Sequence, residues 1–238
     1  MRKLLLTTAA VAAAIGAVAM LGTFWLSERG NMLIHESILP ITYDMFTDSR
    51  DGQAYRTVKI GRQIWMAENL NYEADSSWCY HNSDIDSNSY CGKYGRLYAW
   101  NAARTACPNG WYLPTREEWD GLMIAIGRKE GYTREYGTKY RIWAGAGKML
   151  KAKSGWKDYT GKDRNGTDDF GFSALPGGSR NINGAFYGID YRCDWWTATD
   201  TNNDYAYYRS IFYTENQVRE KKEGKRNGNS VRCVADNP

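Results

Sequence analysis

An α+β fold is predicted from three features: a period-two hairpin beginning at Tyr55, a capped amphipathic helix opening at Thr115, and a later succession of short β segments separated by Gly-rich loops. Two early helices set among many short strands and long loops, with no internal repeat, are expected to form one domain.

The chain opens Met1-Arg2-Lys3, followed by an apolar run over 4–26 broken only by Thr7, Thr8, Thr23 and small residues. This is a targeting segment and lies outside the fold. At about 1.5 Å per residue the run is long enough to cross a hydrocarbon layer of roughly 30 Å, so it can stay as a membrane anchor. Ala17-Val18-Ala19 has the small-x-small form of a signal-peptidase site, so a cleaved signal peptide is equally open. Arg2 and Lys3 place the start in the cytoplasm and the remainder outside. No Cys follows the run to carry a lipid. Residues 27–46 mix charge, Gly30, Pro40 and scattered apolar residues, and are read as a tether. The domain is then expected over 47–238.

Tyr55-Arg56-Thr57-Val58-Lys59-Ile60 alternates at period two, Gly61-Arg62 can turn the chain, and Gln63-Ile64-Trp65-Met66 forms the return strand. The Asn-, Ser-, Asp- and Gly-rich stretch over 71–95 reads as a long irregular loop around two cysteines. A short helix is expected over 97–105. Thr115-Arg116-Glu117-Glu118 is a capping box, with Trp119, Leu122, Met123 and Ile126 following at helical spacing until Gly127 closes the helix. A turn or two is expected over 147–153. Short strands are expected over 170–174, 195–199, 205–213, 217–221 and 230–234.

The formal net charge of +4 is spread along the chain. The basic cluster over 219–226 is diluted by Glu220, Glu223 and Gly224, so it reads as a solvated strand end and no nucleic-acid partner is expected. Ten Trp and eighteen Tyr against six Phe suit ligand platforms and interfaces, and equally an all-β core with wet edges. All five cysteines lie beyond the targeting segment, where disulfides are the expected state. None forms a CxxC pair, and with only His35 and His81 a Cys/His zinc site is not expected. Cys79 and Cys91 flank a polar loop with little apolar material of its own, so a bridge between them is expected to define its ends.

The strings YRTVKIGRQIWMAENLNY (55–72), SWCY (77–80), KYGRLYAWNAA (93–103), CPNGWYLPTREEW (107–119), NGTDDFGFSALPGGSR (165–180) and SVRCVAD (230–236) together closely resemble the Fibrobacter succinogenes major paralogous domain, a family of exported bacterial proteins. The likeness runs in order over 47–237. More distantly, LPTREEW, Gly177-Gly178 and the closing VRCV resemble the sulfatase-modifying-factor fold, a relative of C-type lectins. The resemblance implies a lectin-like α+β domain with short antiparallel strands, two main helices, long irregular loops and ends that meet. That meeting of the ends implies a Cys107–Cys233 bridge, which leaves Cys193 as a quiet free thiol or an intermolecular partner. The chain lacks the EPN or QPD tripeptide with which C-type lectins hold calcium and sugar, and the cysteine arrangement of formylglycine-generating enzymes.

Candidate chemistry is sparse. Glu117 and Glu118 are explained by the capping box and the helix dipole, and His81 has no nucleophile in a recognisable setting. No catalytic residue is assigned. Asp163, Asn165, Asp168 and Asp169 place oxygen ligands in one Gly-containing loop, as calcium prefers, but an Asx-rich turn explains them as well; no other cofactor is expected. Gly177-Gly178 reads as freedom at a tight bend. Trp195-Trp196 lies in a strand whose neighbours point to opposite faces, so one ring is expected to be exposed for stacking on a sugar, beside Tyr187, Tyr191, Tyr205 or Tyr207. Cover by the loop over 181–193, burying both rings, is the competing reading. Trp78 and Tyr80 are second candidates. The expected function is an exported cell-surface binding or adhesion module for polysaccharide or another surface protein; an enzyme of the sulfatase-modifying type and a structural envelope component are the alternatives.

Overall fold

The computed structural model describes residues 40–81, 87–135 and 138–236. The apolar segment over 1–26 and the tether as far as residue 39 lie outside them. The expected hairpin forms β2 (Ala54–Ile60) and β3 (Gln63–Met66), with Val58 opposite Trp65. The last residues assigned to the tether belong instead to the domain. β1 (Asp44–Thr47) pairs antiparallel with β2, while Ile41, Tyr43 and Phe46 pack against the core. That stretch is too short to display a period, so its strand character comes from the neighbour it pairs with. β14 (Val234–Asp236) joins the other edge of β3 and so brings the two ends of the domain into one four-stranded sheet.

The larger sheet draws on β4 (Ser77–Trp78), β5 (Leu97–Tyr98), β6 (Glu130–Glu135), β7 (Thr138–Trp143), β8 (Gly177–Arg180), β9 (Phe186–Ile189), β10 (Arg192–Asp200), β11 (Tyr205–Phe212), β12 (Val218–Gly224) and β13 (Asn229–Ser230). Its order is β4-β5-β13-β10-β11-β12-β7-β6, with β8 paired to β10 and β9. Most pairs are antiparallel, but β10 runs parallel to both β13 and β8, so the sheet is mixed. Two expected strands are corrected. The stretch over 170–174 makes only an isolated bridge, Lys151 to Ala174. The stretch over 230–234 breaks into β13 and β14, because the chain leaves one sheet for the other at 231–233.

Four helices occur among the described residues: α1 (Ser87–Tyr94), α2 (Trp100–Ala106), α3 (Arg116–Ala125) and α4 (Ala146–Leu150), of which α4 meets the turn or two expected over 147–153 and α1 corrects the reading of 71–95 as an irregular loop throughout. The capping box at α3 is complete. Thr115 Oγ1 accepts the Glu118 amide at 3.2 Å, and the Glu118 carboxylate accepts the Thr115 amide at 2.6 Å. Such a cap contributes about 1 kcal/mol. Trp119, Leu122, Met123 and Ile126 are buried as the spacing predicts.

β10 has a hydrophobic cluster on each face. On one face Trp195 meets Trp119 and Phe172, both at 5.8 Å between ring centroids, and Trp65 packs on Trp119 at 5.0 Å. On the other, Trp196 joins Tyr98, Trp100, Tyr208 and Val231. Register carries Trp195 across the sheet to Arg209, Glu220 and Arg141 in turn. Glu220 accepts from Arg116, Arg141 and Arg209 at 2.6–2.8 Å, Asp120 from Arg141 and Arg209 at 2.8 Å, and Glu130 from Arg141 at 2.6 Å, so the three guanidiniums, of which Arg209 is buried, face three carboxylates and are hydrogen-bonded. The bridges are Cys79–Cys91 and Cys107–Cys233, with Cα separations of 5.0 and 5.9 Å, as expected. Cys193 is free and buried, and burial pushes its thiol up to about 12.

Candidate functional site

Of the aromatic residues singled out by sequence, the two tryptophans are corrected first. Trp195 and Trp196 do point to opposite faces of β10, but each is fully buried, and neither offers a ring to solvent. Alternation sets the face correctly and leaves the covering layer undetermined: both faces of this strand carry a core. Both indole N–H groups are occupied, Trp195 by Asn69 Oδ1 at 2.8 Å and Trp196 by the Tyr98 carbonyl at 2.7 Å.

The tyrosines divide into separate places. Tyr205 is 48% exposed and Tyr207 lies under the Arg116 guanidinium at 4.6 Å, both towards the start of β11. Tyr187 is half-buried beneath Arg192 at 5.2 Å. Tyr80 is buried against Phe186 and Tyr90, while Trp78 remains partly exposed under Arg180. The structure therefore does not gather these residues around the tryptophan pair.

It does build an exposed strip around Tyr191. Tyr213, immediately beyond β11, makes edge-on contacts with Tyr191 at 5.0 Å and Tyr159 at 5.5 Å. The outer two rings are 42% and 45% exposed. Three loops hold the strip. Tyr159 and Lys162 exchange backbone hydrogen bonds across Thr160 and Gly161, whose φ values of 52° and 70° make a two-residue turn of the primed kind. Tyr213 donates its amide to the Tyr191 carbonyl at 2.8 Å, and the Lys157 amide binds the Asp190 carbonyl at 2.9 Å. Asp190 in turn accepts the Tyr94 hydroxyl at 2.9 Å; burial and this carboxylate raise the Tyr94 phenol well above its ordinary value. Neither Tyr159 nor Tyr213 was singled out by sequence. The single available signal was Tyr213 closing an alternating strand, since its two partners arrive through loops distant in sequence.

In the oxygen-rich loop over 163–169 three side chains accept hydrogen bonds from nearby groups. Asp163 Oδ1 accepts the Asn165 amide at 2.8 Å and Asn165 Oδ1 the Trp156 amide at 2.9 Å, while Asp168 takes the amide and hydroxyl of Ser173, both at 2.7 Å. This is an Asx-type turn. Asp169 lends its amide to the Met149 carbonyl. Gly166 sits where a calcium ligand would fall because its backbone crosses Lys151 so closely that a Cβ would come within 1.9 Å of the Lys151 carbonyl oxygen. Among the described residues there is no group of three or more His, Cys, Asp or Glu placed to hold a metal. Gly177 and Gly178 begin β8 rather than a bend, although Gly178 has a φ of 69°.

The Fibrobacter succinogenes major domain matches the chain over residues 58–235. No curated protein and no solved structure matches it.

Proposed function

Because the chain belongs to the Fibrobacter succinogenes major domain family and carries an exposed strip of mutually packed tyrosines, we propose that it is an exported binding module that takes polysaccharide on Tyr159, Tyr191 and Tyr213. The observation that carries this reading is the strip itself: rings that pack edge-on about Tyr213, with a polar hydroxyl on each, suit sugar faces bearing both C–H and hydroxyl groups. Two disulfides fit an extracellular setting. The joining of the domain's ends through β3 and β14, beneath long loops, supports a lectin-like architecture. The sulfatase-modifying alternative gains nothing from the cysteines, since four are bridged and the fifth is buried with its thiol pushed up.

The test is affinity electrophoresis of the purified chain through gels containing neutral glucans, galactans, xylans and uronic-acid polymers. The wild type is expected to be retarded by at least one polymer. A Tyr159→Ala/Tyr191→Ala variant is expected to lose at least tenfold in affinity with an unchanged melting temperature. Absence of retardation by every polymer, or unchanged retardation of the variant, would overturn the proposal.

A further inference from the structure

Arg180, the last residue of β8, stands with its Cζ 3.9 Å from the centroid of the Trp78 ring and 5.8 Å from that of Phe186. Its hydrogen-bonding capacity is almost unspent. Nη1 makes one long contact of 3.4 Å with the Asn181 carbonyl, and Nε is shielded without a partner. Among the described residues no carboxylate touches it. Four other ring-stacked arginines differ, Arg50, Arg56, Arg116 and Arg192 lying over Tyr72, Tyr43, Tyr207 and Tyr187 and held by Asp48, Glu68, Glu220 and Asp194 respectively, whereas Arg104 over Trp100 and Arg164 over Tyr159 share with Arg180 the lack of a carboxylate partner among the described residues. Arg180, unlike the four held arginines, has no carboxylate partner among the described residues, and most of its donors are uncommitted.

The seat is built for this placement. Arg180 and Gly228 exchange backbone hydrogen bonds at 2.9 and 2.7 Å, which fixes the base of the side chain. A Cβ on residue 228 would come within 3.1 Å of the Arg180 Cβ and 3.3 Å of the Trp78 ring, so the absence of a side chain there lets the two approach. The seat is also linked to the tyrosine strip. Phe186 packs on Tyr80 at 5.3 Å, Tyr80 on Tyr90 at 5.4 Å, and Tyr90 on Tyr94 at 6.2 Å; the Tyr94 hydroxyl then reaches Asp190, the neighbour of Tyr191. The seat and the strip are thus joined through the interior, by the buried Tyr80 and Tyr94 and the Tyr94–Asp190 hydrogen bond.

A guanidinium stacked on an indole presents its N–H fork edgewise in its own plane above the ring, which matches the two oxygens of a carboxylate or sulfate and gives it orientation as well as charge. We propose that Arg180, seated on Trp78, receives the anionic group of an acidic saccharide, a uronate carboxylate or a sulfate ester. This rests on the polysaccharide reading above and names its ligand class.

The experiment titrates the full purified chain with polygalacturonate, dextran sulfate and neutral galactan at low and at 0.5 M salt. The expected result is binding of at least one acidic polymer at least tenfold tighter than galactan, weakened at high salt. Arg180→Gln should remove that preference while leaving galactan binding unchanged, and Arg180→Lys should retain only part of it. Which acidic polymer shows the dependence on Arg180 distinguishes carboxylate from sulfate. Should Arg180→Gln lower the melting temperature, Arg180→Lys alone decides through its partial loss. Equal binding of acidic and neutral polymers that still depends on Tyr191 would overturn the Arg180 assignment and leave the polysaccharide reading standing. If no polymer binds, both fall.

Discussion

Replacing Cys107 and Cys233 together by alanine gives the sharpest test of how this domain is held closed. The bridge spans 126 residues of sequence, against 12 for Cys79–Cys91. On the chain-entropy account its removal frees an unfolded loop worth about 5 kcal/mol, and removal of the shorter bridge about 3 kcal/mol. The long bridge also fastens the residue after α2 to the segment between β13 and β14, where Cys233 is fully buried beside Val231 and Val234. The loss there therefore includes packing, and the small sheet depends on a β14 pairing of three residues. For a domain of about 200 residues each kcal/mol moves the midpoint by roughly 2–4 °C, so the expected falls are about 10–20 °C for the long bridge and about 6–12 °C for the short one. Scanning calorimetry of the two double variants beside the wild type, with non-reducing peptide mapping of each, makes the comparison. An equal or smaller fall for the Cys107/Cys233 variant would refute the reasoning.

Glu223 accepts hydrogen bonds from Asn227 and Asn229, but burial, with the charge of Asp194 nearby, pushes its carboxyl to about 7. A folded-state value raised above the ordinary one of about 4.3 means a contribution fully present below about pH 4 and lost as pH rises through 7, of order 3 kcal/mol in all. Glu223→Gln is expected to remove that fall between pH 5 and 8 in urea unfolding; parallel curves for variant and wild type would count against it. Asn69 Oδ1 accepts from Trp195 Nε1 at 2.8 Å and from Arg232 Nε and Nη2 at 3.1 and 2.7 Å, and Arg232 is buried with its pKa lowered by desolvation to about 10. Asn69→Leu removes the acceptor of the indole and of Arg232 Nε and Nη2, leaving the buried cation only the Met66 and Phe172 carbonyls on Nη1, and is expected to cost about 3–5 kcal/mol by chemical denaturation; a loss below about 1 kcal/mol would show that those two carbonyls suffice to hold the guanidinium.

The local elements were the most legible part of the chain, because their causes are local. Period-two alternation over 55–66 is enough for a hairpin, and the reach of Glu118 back to the Thr115 amide is enough for a helix start. The Cys79–Cys91 pairing followed from a polar loop lacking any other closure. The hairpin of β6 and β7 went unread: EGYTRE, at the sheet edge, and TKYRIW, next to it, are polar strands with weak alternation, and they are held by ladder pairing to each other and to β12 and by Arg141, whose partners Glu220 and Asp120 lie far off in sequence. The second helix began later than expected because Leu97 and Tyr98 pair with β13 before the chain can wind. A helical pattern supplies no information about a strand waiting beside it.

The exposed aromatics were misplaced for a related reason, which also bears on what the resemblance can deliver. Whether a strand residue is buried depends on what covers each face, and β10, lying between two clusters, buries both of its tryptophans. Residues within the strings that carry the family resemblance build this frame: Trp65 and Asn69 in the first, Trp119 beside its cap, Phe172, and Arg232 with Cys233 at the close. Tyr159, Tyr191 and Tyr213 all fall between those strings, on turns that the frame brings together. Arg180 and Trp78 fall inside them, at positions where a partly exposed cation over an indole contributes little to the core. A likeness carried by the strings therefore covers the scaffold and the proposed Arg180 seat, while the proposed stacking strip of tyrosines lies on the intervening turns. On this reasoning, exchanging the turn over 157–162 should change which sugar rings are accepted and leave the preference for acidic polymers intact; a lost acidic preference on that exchange would show that the strip and the Arg180 seat are not separable.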